Sequence, residues 1–96
     1  MDIEFTWNRT KAGRNLRKHH ISFEAAQQVF FDPHLIVVED CEIDGEMRYH
    51  AIGCAGSDLL LVVHLDRSEE GREIIHIVAA RKANAYEQRA YSDQFA

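Results

Sequence analysis

The segment NLRKHHISFEAAQQVF, residues 15–30, joins two amphipathic stretches of unlike kind, and the architecture turns on how they differ. Upstream, Asn8 is placed to cap a helix running to about His19. The helical period puts Lys11, Arg14, Asn15 and Lys18 on one face of it, beside a narrow apolar stripe of Ala12 and Leu16. That stripe is too thin to hold the helix down unaided. His20 stands where a helix commonly ends on glycine, and histidine is among the few other residues that tolerate a left-handed backbone. Downstream, Ser22 caps a second helix, with Glu24 near the positive end of its dipole. Phe23, Ala26 and Phe30, flanked by Ala25 and Val29, give it a broad apolar face. The second helix therefore belongs to the core and anchors its basic neighbour.

On either side of this segment the signals are those of strands. Residues 4–7 read as an edge strand. Beyond Asp32 and Pro33, residues 35–39, 48–53, 59–65 and 73–81 have strand character. Their links are short and turn-rich, notably Asp44-Gly45 and residues 67–72, which predicts an antiparallel meander. Strict alternation in the last strand sets Ile75, Ile77, Ala79 and Arg81 on one side, and Ile74, His76, Val78 and Ala80 on the other. Asn84 and Glu87 form a reciprocal cap for a final helix through Tyr86, Ala90 and Phe95. The expected fold class is α+β: a four- to five-stranded, mainly antiparallel sheet with two N-terminal helices and one C-terminal helix on one face, in one domain over residues 1–96.

Composition bounds the function. The chain has 96 residues, of which 46% are hydrophobic and 28% charged, as suits a protein with one core. Residues 1–7 are strand-like and carry Asp2 and Glu4, unlike a secretory leader, and the longest apolar run, residues 59–63, is too short to cross a bilayer. With no export signal, Cys41 and Cys54 are expected as reduced thiols and the protein in the cytoplasm. A net charge of −5 excludes indiscriminate attraction to nucleic acid, yet the charges are sorted. Residues 5–23 carry five cations (Arg9, Lys11, Arg14, Arg17, Lys18) and no acid, while Glu39, Asp40, Glu42, Asp44 and Glu46 make a dense acidic run.

The basic helix is the first place where chemistry can reside. His19 falls between its cationic face and its apolar stripe, half sheltered. A group that titrates near neutrality, among cations that neutralise phosphate oxygens, suits phosphodiester chemistry without a metal. The second place is the end of the last strand, where Arg81 and Lys82 precede the Asn84 cap and its anion-favouring helix terminus. His50, His64 and His76 lie in strand-like runs and read as hydrogen-bonded core or surface residues; His64 is kept in reserve as lining a concave sheet face beside Arg48. No His, Cys or carboxylate spacing matches a zinc site, and no cofactor fingerprint is present, so neither metal nor cofactor is expected. Cys41, amid acids, and Cys54, in a glycine-flanked turn, do not read as nucleophiles.

Taken in order, the pieces FTW (5–7), KAGRNLRKH (11–19), SFEAAQQVF (22–30), GEMR (45–48), LLVVH (60–64) and IVAARKA (77–83), with Glu87 and Tyr91, resemble the BrnT family of toxins from bacterial type II toxin–antitoxin systems. The resemblance implies a compact ribonuclease related in fold to the RelE superfamily. It would cut RNA to halt translation and be held inactive by a DNA-binding, ribbon-helix-helix, BrnA-like antitoxin, as a homodimer or as a hetero-oligomer with it. Carried over by position, Lys18, His19, Arg48, Arg67, Arg81 and Lys82 are the functional cations. Asn8 departs from a usual aspartate, His20 from a usual glycine, and Ala79 from a common serine; the overall acidity is also unusual for such a toxin. The reading is a metal-independent endoribonuclease in which His19, Lys18 and Arg81 are catalytic and Lys11, Arg14, Arg48, Arg67 and Lys82 bind RNA. The alternative is a non-catalytic module that binds nucleic acid or a protein partner through the same surface.

Overall fold

In a computed structural model, residues 2–96 are described. The chain runs β1 (Ile3–Trp7), α1 (Arg9–His19), α2 (Phe23–Ala26), a 3₁₀ segment (Gln27–Phe31), β2 (Ile36–Ile43), β3 (Glu46–Ala55), β4 (Asp58–Asp66), β5 (Glu73–Lys82) and α3 (Ala85–Asp93). The strands form one sheet in the order β1-β5-β4-β3-β2. From β2 to β5 the pairing is antiparallel, as the short links predict. β1, however, runs parallel to β5, so the sheet is mixed and not mainly antiparallel. A parallel partner requires a long return path, which the helices and the meander supply.

Several elements differ from their sequence signals for local reasons. The second helix completes one turn and then tightens into 3₁₀ geometry. β2 and β3 run on to a two-residue turn in which Asp44 and Gly45 both have positive φ (51° and 81°), the combination that matches strand twist. The acidic run is thus strand and turn. β2 is an edge strand, almost wholly exposed.

Phe23, Ala26 and Val29 are fully buried, and with Ile21 they pack on Ala51, Leu60, Val62, Ile77 and Ala80 of the sheet. Gly53 admits this layer: a Cβ there would lie 3.0 Å from the Val29 carbonyl oxygen. The face of β5 in this core breaks simple alternation. Val63 pairs with Ala79 but His64 with Ile77, leaving Val78 as an extra residue. Ile77 and Ala80 therefore face the core together, and His76 and Arg81, expected on opposite sides, both turn to the other face.

The link between α1 and the sheet is polar. β1 ends opposite Ile77, and beyond it the outer edge of β5 has no strand. Asn15 takes the vacant place: its Oδ1 accepts from the Ala80 N–H at 3.1 Å and its Nδ2 donates to the Ala80 carbonyl at 2.9 Å. The same Nδ2 donates to the Ile21 carbonyl at 3.0 Å. Helical periodicity groups Asn15 with the cations, yet it is buried, because a carboxamide can satisfy both main-chain groups of an unpaired strand edge and a cation cannot. His20 ends α1 in the left-handed region (φ 61°) with its N–H on the Leu16 carbonyl, as anticipated, and so delivers Ile21 to Asn15.

α3 opens on the reciprocal Asn84–Glu87 cap but buries none of its residues. It does not join α1 and α2 in the core. Instead it is fastened to the end of the sheet, where the Tyr91 hydroxyl donates to Asp32 Oδ2 at 2.6 Å and Glu87 holds Arg81. Desolvation pushes the Asp32 carboxyl up, but donation from Tyr91 and from the N–H groups of Cys54 and His34 outweighs it and leaves its pKa below the usual carboxylate value. The same contact raises the Tyr91 phenol.

Asn15→Ala leaves the Ala80 N–H, the Ala80 carbonyl and the Ile21 carbonyl without their partner in a buried setting. At about 1 kcal/mol or more for each orphaned group, it should lower the free energy of unfolding in urea by about 3 kcal/mol. Asn15→Asp, which keeps an acceptor but faces two carbonyls with a carboxylate, should be similarly damaging, whereas exposed Arg89→Ala should move stability by less than about 0.5 kcal/mol. An unchanged urea midpoint for Asn15→Ala would remove the carboxamide from this role.

Candidate nucleic-acid interface

On the sheet face away from the core, Thr6, His76, Leu65 and Arg48 stand in register as one row across four strands. Leu65 is buried between its half-exposed neighbours. Lys11 from α1, Arg67 from beyond β4, and Glu46, Asp44, Ile43 and Val78 close a cleft of about 190 Å³ around His76 and Arg48. A second cleft, about 270 Å³, lies where Lys11, Arg14, Lys18 and His19 of α1 meet Val78 and Ala79 of β5. Lys11 and Val78 belong to both walls. The clefts thus form one groove along the joint of α1 and the sheet, with the extra residue of β5 at its middle.

The pairing of the cations is uneven. Arg72 is held by Glu4 and Glu69, Arg67 by Glu46, Arg81 by Glu87, and Lys82 lies 4.0 Å from Asp58. Among the described residues, Lys11, Arg14, Lys18 and Arg48 have no carboxylate within 4.0 Å. Arg48 Nε is buried with no hydrogen-bond partner. Arg67 is gripped by a two-pronged contact, 3.1 Å from each Glu46 oxygen, which raises its pKa and lowers that of Glu46. His76 has its Nδ1 2.7 Å from Thr6 Oγ1. Desolvation, then Arg67 and Lys11, lower its pKa below the ordinary histidine value, against an opposing pull from Glu46.

The structure therefore brings together Lys11, Arg14, Lys18 and His19 in one cleft, and Lys11, Arg48 and Arg67 in the next. His19 is half-buried, as its place on the helix suggests. Arg81 and Lys82 line neither cleft. Both Nη atoms of Arg81 are taken by Glu87, at 2.8 and 2.9 Å, and Nη1 also reaches the Lys82 carbonyl. His64, held in reserve as a neighbour of Arg48 on a concave face, is instead buried on the core side. It sits edge-on to Phe30 and stacked with Tyr49, and burial lowers its pKa. Cys54 lies in β3 and not in a turn, and both thiols are free. Desolvation and the adjacent Asp40 raise Cys41, which suits an inert thiol. Among the described residues no cluster of three or more His, Cys, Asp or Glu side chains is arranged to hold a metal, and no helix is long and apolar enough to cross a membrane. His76 also lines this groove: in sequence it reads as one more strand histidine, and only the parallel pairing of β1 sets Thr6 beside it.

Fold and site together define a small α+β protein with a cationic groove cut between a helix and an open sheet face. The profile of the family described as the ribonuclease toxin, BrnT, of type II toxin–antitoxin system matches residues 7–87, and the chain belongs to that family. No curated protein matches the chain. Membership carries, at the level of the family, ribonuclease toxin activity, an RNA substrate and an antitoxin partner.

Glu46→Gln should release Arg67 to the groove and remove an adjacent negative charge. Binding of a fluorescent 2′-O-methyl oligonucleotide, which cannot be cleaved, should tighten several-fold. Its salt dependence on a double-logarithmic plot should steepen by about 0.7 if Arg67 takes up one phosphate. Anisotropy titrations at several salt concentrations check both, and unchanged affinity and slope would place Arg67 outside the interface.

Proposed function

We propose that the protein is a metal-independent endoribonuclease of RelE-like fold that cuts RNA in the cytoplasm and so inhibits translation. The observation that carries this reading is the run of cations in the groove, Lys11, Arg14, Lys18 and Arg48, left without carboxylate partners in a chain that has sixteen acids to offer. Unneutralised positive charge along a cleft is what a phosphate backbone requires. In the reaction the ribose 2′ oxygen attacks the adjacent phosphorus and the bond to the 5′ oxygen breaks, giving a cyclic phosphate. His19 moves a proton in this step, and Lys18 stabilises the charge accumulating on the phosphoryl oxygens. Arg81, outside both clefts and held by Glu87, joins that work only where the phosphate draws its guanidinium away from that carboxylate and into the groove. Lys11, Arg14, Arg48, Arg67 and Lys82 hold the strand. A ribbon-helix-helix, BrnA-like antitoxin covering the groove would silence it, in a hetero-oligomer with the toxin.

The capture of Arg67 and Arg81 by carboxylates favours a second reading, a module that binds nucleic acid without cutting it. Incubation with end-labelled RNA in EDTA separates the two. The expected result is fragments with 2′,3′-cyclic phosphate ends, and a fall of about 10²–10⁴-fold in rate for His19→Ala or Lys18→Ala with circular dichroism unchanged. Retarded but intact RNA supports the module, and cleavage only after metal is restored would remove metal independence.

A further inference from the structure

We propose that His76 is a catalytic residue of the groove: the general base that takes the proton from the ribose 2′ hydroxyl, oriented for that task by Thr6. The inference deepens the ribonuclease reading and rests on it.

The geometry has the parts a positioned base needs. His76 lines the cleft that holds Lys11, Arg48 and Arg67, and it is half-buried. Its Nδ1 is engaged by Thr6 Oγ1 at 2.7 Å, which fixes the ring. Nε2 has no protein hydrogen bond among the described residues and is left for substrate. Thr6 Oγ1 can accept as well as donate, and in the tautomer where Nδ1–H donates to it the lone pair resides on Nε2, as a base requires. Arg48 stands two strands away in the same row, about 10 Å at the backbone, with the buried Leu65 between them. A phosphodiester seated over Leu65 would meet the unpaired guanidinium on one side and the imidazole on the other.

The surrounding charges suit the role. The charged groups facing His76 are Lys11 from α1, Asp44 from the turn, Glu46 and Arg48 from β3, and Arg67 from beyond β4. Desolvation and the cations disfavour the imidazolium against an opposing pull from Glu46, which favours the neutral ring that can accept a proton. In the step, the 2′ oxygen forms its bond to phosphorus as its proton passes to His76 Nε2. The bond from phosphorus to the 5′ oxygen breaks, and that oxygen takes a proton delivered by His19 from the adjoining cleft. Two protons move, one at each histidine, and no electron donor or metal is called for.

The test uses the full chain and a short labelled RNA. For the wild type, kcat/KM should rise with pH through a limb set by His76, lying below the ordinary histidine value of about 6.5. His76→Gln should cost about 10²–10⁴-fold in rate and abolish that limb, while still binding the 2′-O-methyl oligonucleotide within about two-fold. Added imidazole should partly restore His76→Ala, a recovery that a purely structural role does not produce. Thr6→Val, acting through His76, should lower kcat more than it changes KM and displace the limb. If the wild type cleaves RNA and His76→Gln cleaves equally well with the same limb, this inference falls and the ribonuclease reading stands. If His76→Gln is inactive because it neither folds nor binds, failure of imidazole to restore His76→Ala overturns it as well. If the wild type leaves RNA intact, the ribonuclease reading itself fails and takes this inference with it.

Discussion

The outer edge of β5 loses its strand partner at Ile77, and the carboxamide of Asn15 completes it. A buried strand edge with a bare N–H and C=O is costly, and few side chains can answer both groups at once. Because the contact is directional, it sets the rotation of α1 as well as its position. With Asn15 turned to Ala80, Lys11, Arg14, Lys18 and His19 are carried to the rim of the sheet, where they meet Val78 and Ala79. The apolar side of α1 cannot do this alone: Ala12 packs on the core, but Leu16 remains about half exposed at 48%. Helix placement, groove and cation array thus share one origin.

An acidic protein can present a cationic groove because charge acts locally. At physiological salt the field of an exposed charge fades over roughly 8 Å, so an acid cancels only the cations close to it. Near the groove the matter is settled pair by pair. Glu46 restrains Arg67 and Glu87 restrains Arg81, whereas the cations of α1 have no acid on their own helix to answer them. Net charge would have suggested a protein indifferent to phosphate; its distribution suggests the reverse.

What the sequence discloses and what it hides follow the range of the interactions. Asn8, Ser22, His20 and the Asn84–Glu87 pair are local devices, and each acts where its neighbours predict. The Asp44-Gly45 turn is equally plain. Hidden are the features that arise between distant segments: the parallel pairing of β1 with β5, the extra residue at Val78, and the burial of Asn15 among residues 65 positions away. The site divides likewise. Lys11, Arg14, Lys18 and His19 follow from one helical wheel, and Arg48 and Arg67 from a family likeness. His76 depends on a contact with Thr6 across 70 residues, and the capture of Arg81 by Glu87 on the way the chain turns into α3.

The exposed β2 edge has a consequence of its own. An eight-residue margin carrying Val37, Val38 and Ile43 is a template on which a second chain could extend the sheet. Glu39, Asp40 and Glu42 interrupt it, and the pairing of β2 with β3 slips between Glu39 and Glu42. Two such margins laid side by side would press carboxylate against carboxylate along a bent seam. The dense negative charge on this strand opposes fibrous self-association through that margin.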